Sequence, residues 1–303
     1  MRYIGLKAGG GEILLPAPAE LRFDSAEDAP ADGFVGVFPL AGGCGTLVGL
    51  RVEDAAGGVR FLGTADMQRQ TVSGGETALR LTCRSLAGPL LDSEPEPQTY
   101  EYPNLATIFA RHIRPYGLTA FLGDARIFRG PLRVAKGMSE WQAAALFCKT
   151  YLRTAPRVRG TVFDATGIAR GKPILLDNAA GVKYFRAELR LRRCELLTEI
   201  WTPTAEGSYA PAAADAGSEA LGVRRKRCLA AGSSADAEEL LRAAGRRSFA
   251  VLADCPGYPR TEVGAPAELR DPALGTFAGL TVAEVACAGG PDGVRTRYTM
   301  RKG

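Results

Sequence analysis

Apolar and polar residues alternate in short runs along the first eighty positions, and glycine pairs separate the runs. Gly33–Leu40 (GFVGVFPL) and Gly45–Val52 (GTLVGLRV) are apolar and partly alternating, with Ala41-Gly42-Gly43 as the turn between them. Val59–Asp66 follows a Gly57-Gly58 turn, and Thr77–Arg84 follows Gly74-Gly75. In that last run the period of two puts Leu79, Leu81 and Cys83 on one face and Arg80, Thr82 and Arg84 on the other. The spacing predicts a meandering antiparallel sheet from Met1 to about Arg84, closed into a small barrel.

The pattern then changes. Leu86–Tyr102 and the residue after it carry Pro89, Pro95, Pro97 and Pro103, which predicts an irregular crossing without regular hydrogen bonding. Asn104 is a candidate N-cap for a helix whose apolar face is Leu105, Ile108, Phe109 and Ile113, ended by Pro115-Tyr116-Gly117. A strand over Leu118–Leu122, a helix capped by Ser139 and running through Glu140, Trp141 and Phe147 to Leu152, and a strand over Val158–Ala165 complete a compact α/β segment.

Strand character returns at Pro173–Asp177, Ala187–Arg193 and Glu195–Trp201. Thr202–Gly222 is poor in large apolar residues and predicts a mobile loop. Ser234 would cap a helix to about Arg246, and strands at Phe249–Ala253, Phe277–Ala286 and Val294–Arg301 close the chain. The division this implies is 1–96, 97–165 and 166–303, with the loop at about 202–222 and the helix at about 234–246.

Composition adds little to the fold and more to the chemistry. A chain of 303 residues can bury a full core in two or three domains, and its apolar and charged fractions are those of a globular protein. The seven cysteines, at 44, 83, 148, 194, 228, 255 and 287, are an odd, scattered set without a C-x-x-C pair, which argues against a disulfide framework or zinc knuckle and for a reduced compartment. Met1–Gly5 does not read as a secretory signal, and no run approaches the roughly 18 apolar residues of a membrane helix, so a soluble protein made in the cytoplasm is expected. A net charge of +5 is small for this length; the basic residues are mostly arginine, the cation favoured in protein interfaces.

Candidate catalytic groups are few. His112 is the one histidine, placed beside the apolar face of its helix, where a packed or solvated structural role is expected; a pairing with a cysteine nucleophile is the alternative. Glu94 and Glu96 flank Pro95, with Asp92 near, and could act as a glycosidase pair, but Trp141 and Trp201 are the only tryptophans available as sugar platforms, so a solvated acidic crossing is preferred. The glycine clusters at 9–11 and 42–45 lack the lysine of a phosphate loop. Arg224–Arg227 could touch nucleic acid or an acidic partner and reads more simply as a solvated loop end. No catalytic, cofactor-binding or metal-binding residue is assigned.

The stretch Leu79–Pro97, LRLTCRSLAGPLLDSEPEP, resembles a segment of the hub proteins of contractile phage-tail baseplates and related prophage particles, in which a strand ending in a Gly-Arg-Ser-like triplet is followed by a leucine-aspartate-acid-proline crossing. Thr107–Leu118, with its Pro-Tyr-Gly stop, and the Ser139 helix followed by Arg159-Gly160-Thr161-Val162 are similar to further landmarks of that family. Cys83 stands where the family often has glycine, and Thr202–Gly232 matches no family segment. The resemblance covers about residues 34–165 and, beyond them, rests on element order. It implies an α+β, β-rich chain of two tail-tube-like antiparallel β-barrel domains separated by an α/β insert. It also implies a non-enzymatic homotrimer in a phage, prophage or bacteriocin particle, assembled in the bacterial cytoplasm. The ring would adapt a six-fold tube to a three-fold spike, with tube or tube-initiator, spike and wedge proteins as partners and no small-molecule substrate or specific nucleic acid. The alternatives are a tail-associated peptidoglycan hydrolase and an adaptor contacting nucleic acid or membrane.

Overall fold

Seven strands precede the first helix: β1 (Arg2–Lys7), β2 (Glu12–Leu15), β3 (Glu20–Ala26), β4 (Gly33–Leu40), β5 (Leu47–Glu53), β6 (Val59–Ser73) and β7 (Glu76–Ser85). They belong to a computed structural model that describes residues 1–167, 171–205, 207–233 and 235–302. Alternation does in β7 what the pattern predicts, since Leu79, Leu81 and Cys83 are buried and Arg80 is exposed. Their inward face joins Tyr3, Phe34, Phe38, Leu50 and Phe61 in one apolar core, with the Phe34 and Phe61 rings 5.5 Å apart.

The chain divides into two compact units, Met1–Arg170 with Val285–Arg295, and Gly171–Glu284 with Thr296–Gly303. In the first unit the strand order is β20 (Gly275–Gly290), β3, β4, β7, β6, β5, β1, β2, with antiparallel ladders wherever the register is defined. Among the described residues no ladder joins β2 to β20, so a large antiparallel sheet stands where a hydrogen-bonded closed barrel was expected.

The α/β segment of this unit has its own core of Leu90, Leu105, Ile108, Ile113, Trp141, Phe147 and Phe163. Its crossing is more regular than predicted: α1 (Ala87–Asp92) and β8 (Gln98–Tyr100) form within it. Pro89 is compatible with α1 because it lies in the first turn, where backbone N–H groups have no intrahelical partner to lose. As expected, Asn104 caps α2 (Leu105–Ile108), accepting from the Thr107 amide, and Gly117 ends the segment with φ 90°. Between them the helix widens into a π turn, Phe109–Ile113, and tightens into a 3-10 turn, Arg114–Tyr116. After β9 (Ala120–Leu122) and β10 (Leu132–Val134), Ser139 and Gln142 form a reciprocal capping box on α3 (Glu140–Phe147), which also runs into a π turn. Ser139→Ala is therefore expected to cost about 1 kcal/mol in denaturant unfolding without changing the fold. β11 (Arg157–Arg159) and β12 (Val162–Asp164) finish the segment, with β12 parallel to β9.

In the second unit, β13 (Ile174–Asp177), β14 (Arg186–Leu191), β18 (Phe249–Pro256), β19 (Pro266–Asp271) and β21 (Gly293–Lys302) combine with β20 in the order β14-β18-β21-β20-β19-β13. Val251, Leu269, Val282, Tyr298 and Met300 are fully buried there. A second sheet has the order β16 (Tyr209–Ala214), β15 (Glu199–Pro203), β17 (Lys226–Cys228). It corrects the expected loop at 202–222: β16 and α4 (Ala216–Ala220) form inside it, because ladder hydrogen bonds to β15 need no large side chains. The helix α5 (Ala237–Ser248) begins later than predicted; Asp236 caps it by accepting from the Glu238 and Glu239 amides at 2.9 and 3.1 Å, and Ser234 lies outside the described residues.

Candidate functional site

His112 is the first residue to weigh, because a histidine with a carboxylate partner is the usual start of acid–base chemistry. It is 1% exposed, in the π turn that follows α2. Nδ1 lies 2.5 Å from Glu140 Oε2 and Nε2 lies 2.8 Å from the Tyr100 hydroxyl, while the Tyr116 hydroxyl donates to Glu140 Oε1 at 3.2 Å. A neutral imidazole accepts from Tyr100 at Nε2 and an imidazolium donates there, so the ring is satisfied in either charge state. Burial raises the Tyr100 phenol above its ordinary value, and the Arg111 guanidinium lies 5.5 Å from its ring centre. All of this sits among apolar side chains, with both ring nitrogens occupied. The arrangement joins α2, β8 and α3 inside the core.

Glu140 also connects this array to the acidic crossing, since its backbone amide donates to the Ser93 carbonyl at 2.8 Å. One residue earlier, Asp92 meets Arg84. That guanidinium grips two carboxylates, Asp92 at 2.5 and 3.2 Å and Asp66 at 2.6 and 3.2 Å. The shared hydrogen bonds, to Asp92 first and Asp66 second, hold the guanidinium well above its ordinary value and draw Asp92 below the usual carboxylate range. Asp66 is on β6, Arg84 on β7 and Asp92 ends α1, so one arginine fastens the sheet to the first helix of the α/β segment.

Glu94 and Glu96 are both exposed on either side of the buried Pro95, and among the described residues neither has a side-chain partner. Cys44, Cys83, Cys148, Cys255 and Cys287 are buried, whereas Cys194 and Cys228 are exposed. Burial pushes the Cys83 and Cys148 thiols up to about 12 and Cys255 up to about 11, the reverse of an activated nucleophile. A disulfide-exchange reagent at pH 7.5 should therefore label Cys194 and Cys228 rapidly and the five buried thiols only after denaturation. Rapid loss of Cys83 or Cys148 would contradict that burial.

The basic run at 224–227 is not a free loop end. Lys226–Cys228 is β17, the Arg225 side chain donates to the Cys194 carbonyl, the Arg225 backbone exchanges hydrogen bonds with the Thr198 hydroxyl, and Lys226 lies 4.5 Å from the centre of the Trp201 ring. Among the described residues no group of three or more His, Cys, Asp or Glu side chains is placed to hold a metal ion. Sequence reasoning found His112 but missed Tyr100, Tyr116 and Glu140 as its partners, and missed the Arg84 bridge; Tyr100, within the polar run 98–102, and Tyr116, within the Pro-Tyr-Gly stop, carry no local signal of a buried partner.

The β-rich fold is that of phage tail proteins. The tail protein of Neisseria meningitidis superposes on the chain with a TM-score of 0.75 at 16% identity, over 100% of this chain and 97% of that one. The 43 kDa tail protein of prophage MuSo2 from Shewanella oneidensis gives 0.77 at 13% identity, over 100% and 98%. The E. coli c3393 protein, a type VI secretion component with structural similarity to the T4 tail proteins gp27 and gp5, gives 0.56 at 10% identity, over 94% and 74%. No family model and no curated protein sequence matches the chain.

Proposed function

We propose that this chain is the hub subunit of a contractile phage-tail baseplate or phage-tail-like particle, a homotrimer that joins the six-fold tube to the three-fold central spike. The observation that carries the reading is the end-to-end agreement of fold with two tail proteins, 100% of this chain against 97% and 98% of theirs. In this reading the sheet-rich part before the crossing and the second unit are the two tube-like barrel domains, and the α/β segment between them is the insert. The unpaired edges at β2 and β14 are short, four and six residues, as edges that meet only a chosen partner tend to be.

The same reading assigns no catalytic role. The histidine is enclosed, the buried thiols are poor nucleophiles, and Glu94 and Glu96 face solvent. Tube or tube-initiator, spike and wedge proteins are its partners, and the particle's baseplate is its place of action. Mass measurement by light scattering, with electron microscopy of the purified protein alone and with its spike, tests the reading: a three-copy ring is expected, and a stable dimer or a chain that stays monomeric with its spike overturns it. Cell-wall lysis that disappears in Glu94→Gln would overturn the non-enzymatic assignment.

A further inference from the structure

Seven arginines lie before the crossing, at 2, 22, 51, 60, 69, 80 and 84. Five are matched to carboxylates: Arg2 to Glu53, Arg22 to Asp24, Arg51 to Glu12 and Glu53, Arg60 to Asp54, and Arg84 to Asp66 and Asp92. Among the described residues Arg69 and Arg80 have no such partner; both are exposed, and they stand directly opposite each other across the β6–β7 ladder. Like charges in that position repel and destabilise a hairpin, so the pair weakens the isolated chain. Arg80 shares its sheet face with Thr82 and Arg84, and Arg69 shares it with Met67, which is 48% exposed. The half-buried Val35 and Val37 of β4 stand opposite Thr82 and Arg80.

The crossing offers the complementary charges. Glu94 and Glu96 are exposed and, among the described residues, unpaired, and Pro95 and Pro97 stiffen the segment that carries them. Ser93 is extended, at φ −107° and ψ 140°, and Glu94 and Glu96, each preceding a proline, favour the same conformation. Alternate residues of extended chain project to the same side about 6.6 Å apart, and residues opposed in a ladder have Cβ atoms about 5 Å apart, a mismatch that long arginine side chains absorb. Stiff acids lose little freedom when they bind.

From this complementarity we infer that the Arg69–Arg80 pair docks the Glu94–Pro97 segment of a second copy of the chain, forming the head-to-tail contact of the ring. The inference rests on the trimeric reading and assigns residues to its interface. Each contact would bring two opposite-charge pairs together beside Met67 and the valines, relieving the Arg–Arg repulsion in the process.

Charge exchange tests it, with sedimentation velocity at several concentrations reading assembly and circular dichroism reading the fold. R69E/R80E and E94R/E96R each place like charges in the contact and should weaken association about tenfold or more. The fourfold swap R69E/R80E/E94R/E96R should restore it. R80T supplies a variant that folds readily: removing one of two repelling charges should leave the unfolding midpoint at or above that of the unaltered chain and still weaken assembly. A ring that survives R69E/R80E, or a folded fourfold swap that does not reassemble, overturns the docking and leaves the ring intact as a reading. If the unaltered chain forms no ring with or without its spike, both fail.

Discussion

Replacing His112 by alanine is expected to destabilise the chain by about 3–5 kcal/mol, because it leaves Glu140 buried in the core with only the longer hydrogen bond from Tyr116. For a unit of this size that corresponds to a fall of roughly 6–20 °C in unfolding midpoint. Tyr100 loses one hydrogen-bond partner at the same time, which adds to the loss. Glu140→Ala should cost a similar amount, and H112A/E140A less than the sum of the two, since each single change already breaks the shared bond. Denaturant unfolding of the three variants checks this, and additive or sub-kilocalorie losses would show that the array is not a unit. A catalytic histidine behaves in the opposite way, as substitutions at strained active sites tend to preserve or raise stability while abolishing turnover.

The difference between what was legible in the sequence and what was not follows the separation between interacting residues. β4 could be bounded at Gly33 and Leu40, and β7 placed to within a residue, because glycine turns and a period of two are local signals. The caps at Asn104 and Ser139 are equally local, and both are present. His112 could be placed near an apolar face, yet its partners are 12 and 28 residues away on other elements, where no spacing rule reaches. The Arg84–Asp66 bond depends on a β6–β7 register that shifts between Ala65 and Met67, a bulge that alternation does not announce. The π turns are invisible for a related reason, since each is a single turn at a helix end, too short to register in the apolar period. At 209–214 composition misled: YAPAAA buries little, as its alanines suggest, but its backbone pairs with β15 regardless.

Gly63 lies beside the same bulge, and Gly63→Val is expected to cost at or above the top of the range of about 1–3 kcal/mol seen for overpacking. Its backbone runs so close to β7 that a Cβ would overlap the Arg84 carbonyl oxygen and sit 2.7 Å from the Phe61 ring. The first obstacle is backbone in the middle of a sheet and the second is a 5% exposed core ring, so neither can step aside cheaply. Relief requires β6 to separate from β7 at Thr64–Arg84, and that movement carries the Arg84 side chain away from Asp66 and Asp92. The substitution should therefore loosen the junction between the sheet and α1 as well as the sheet itself, giving faster amide exchange in both β7 and the 87–92 helix. Gly33 is paired with Arg84 from the other side, and a Cβ there meets nothing within 4 Å. Gly33→Ala should accordingly be neutral or slightly stabilising. Equal losses at the two positions would mean that glycine at 63 serves chain flexibility and not the close approach of two strands.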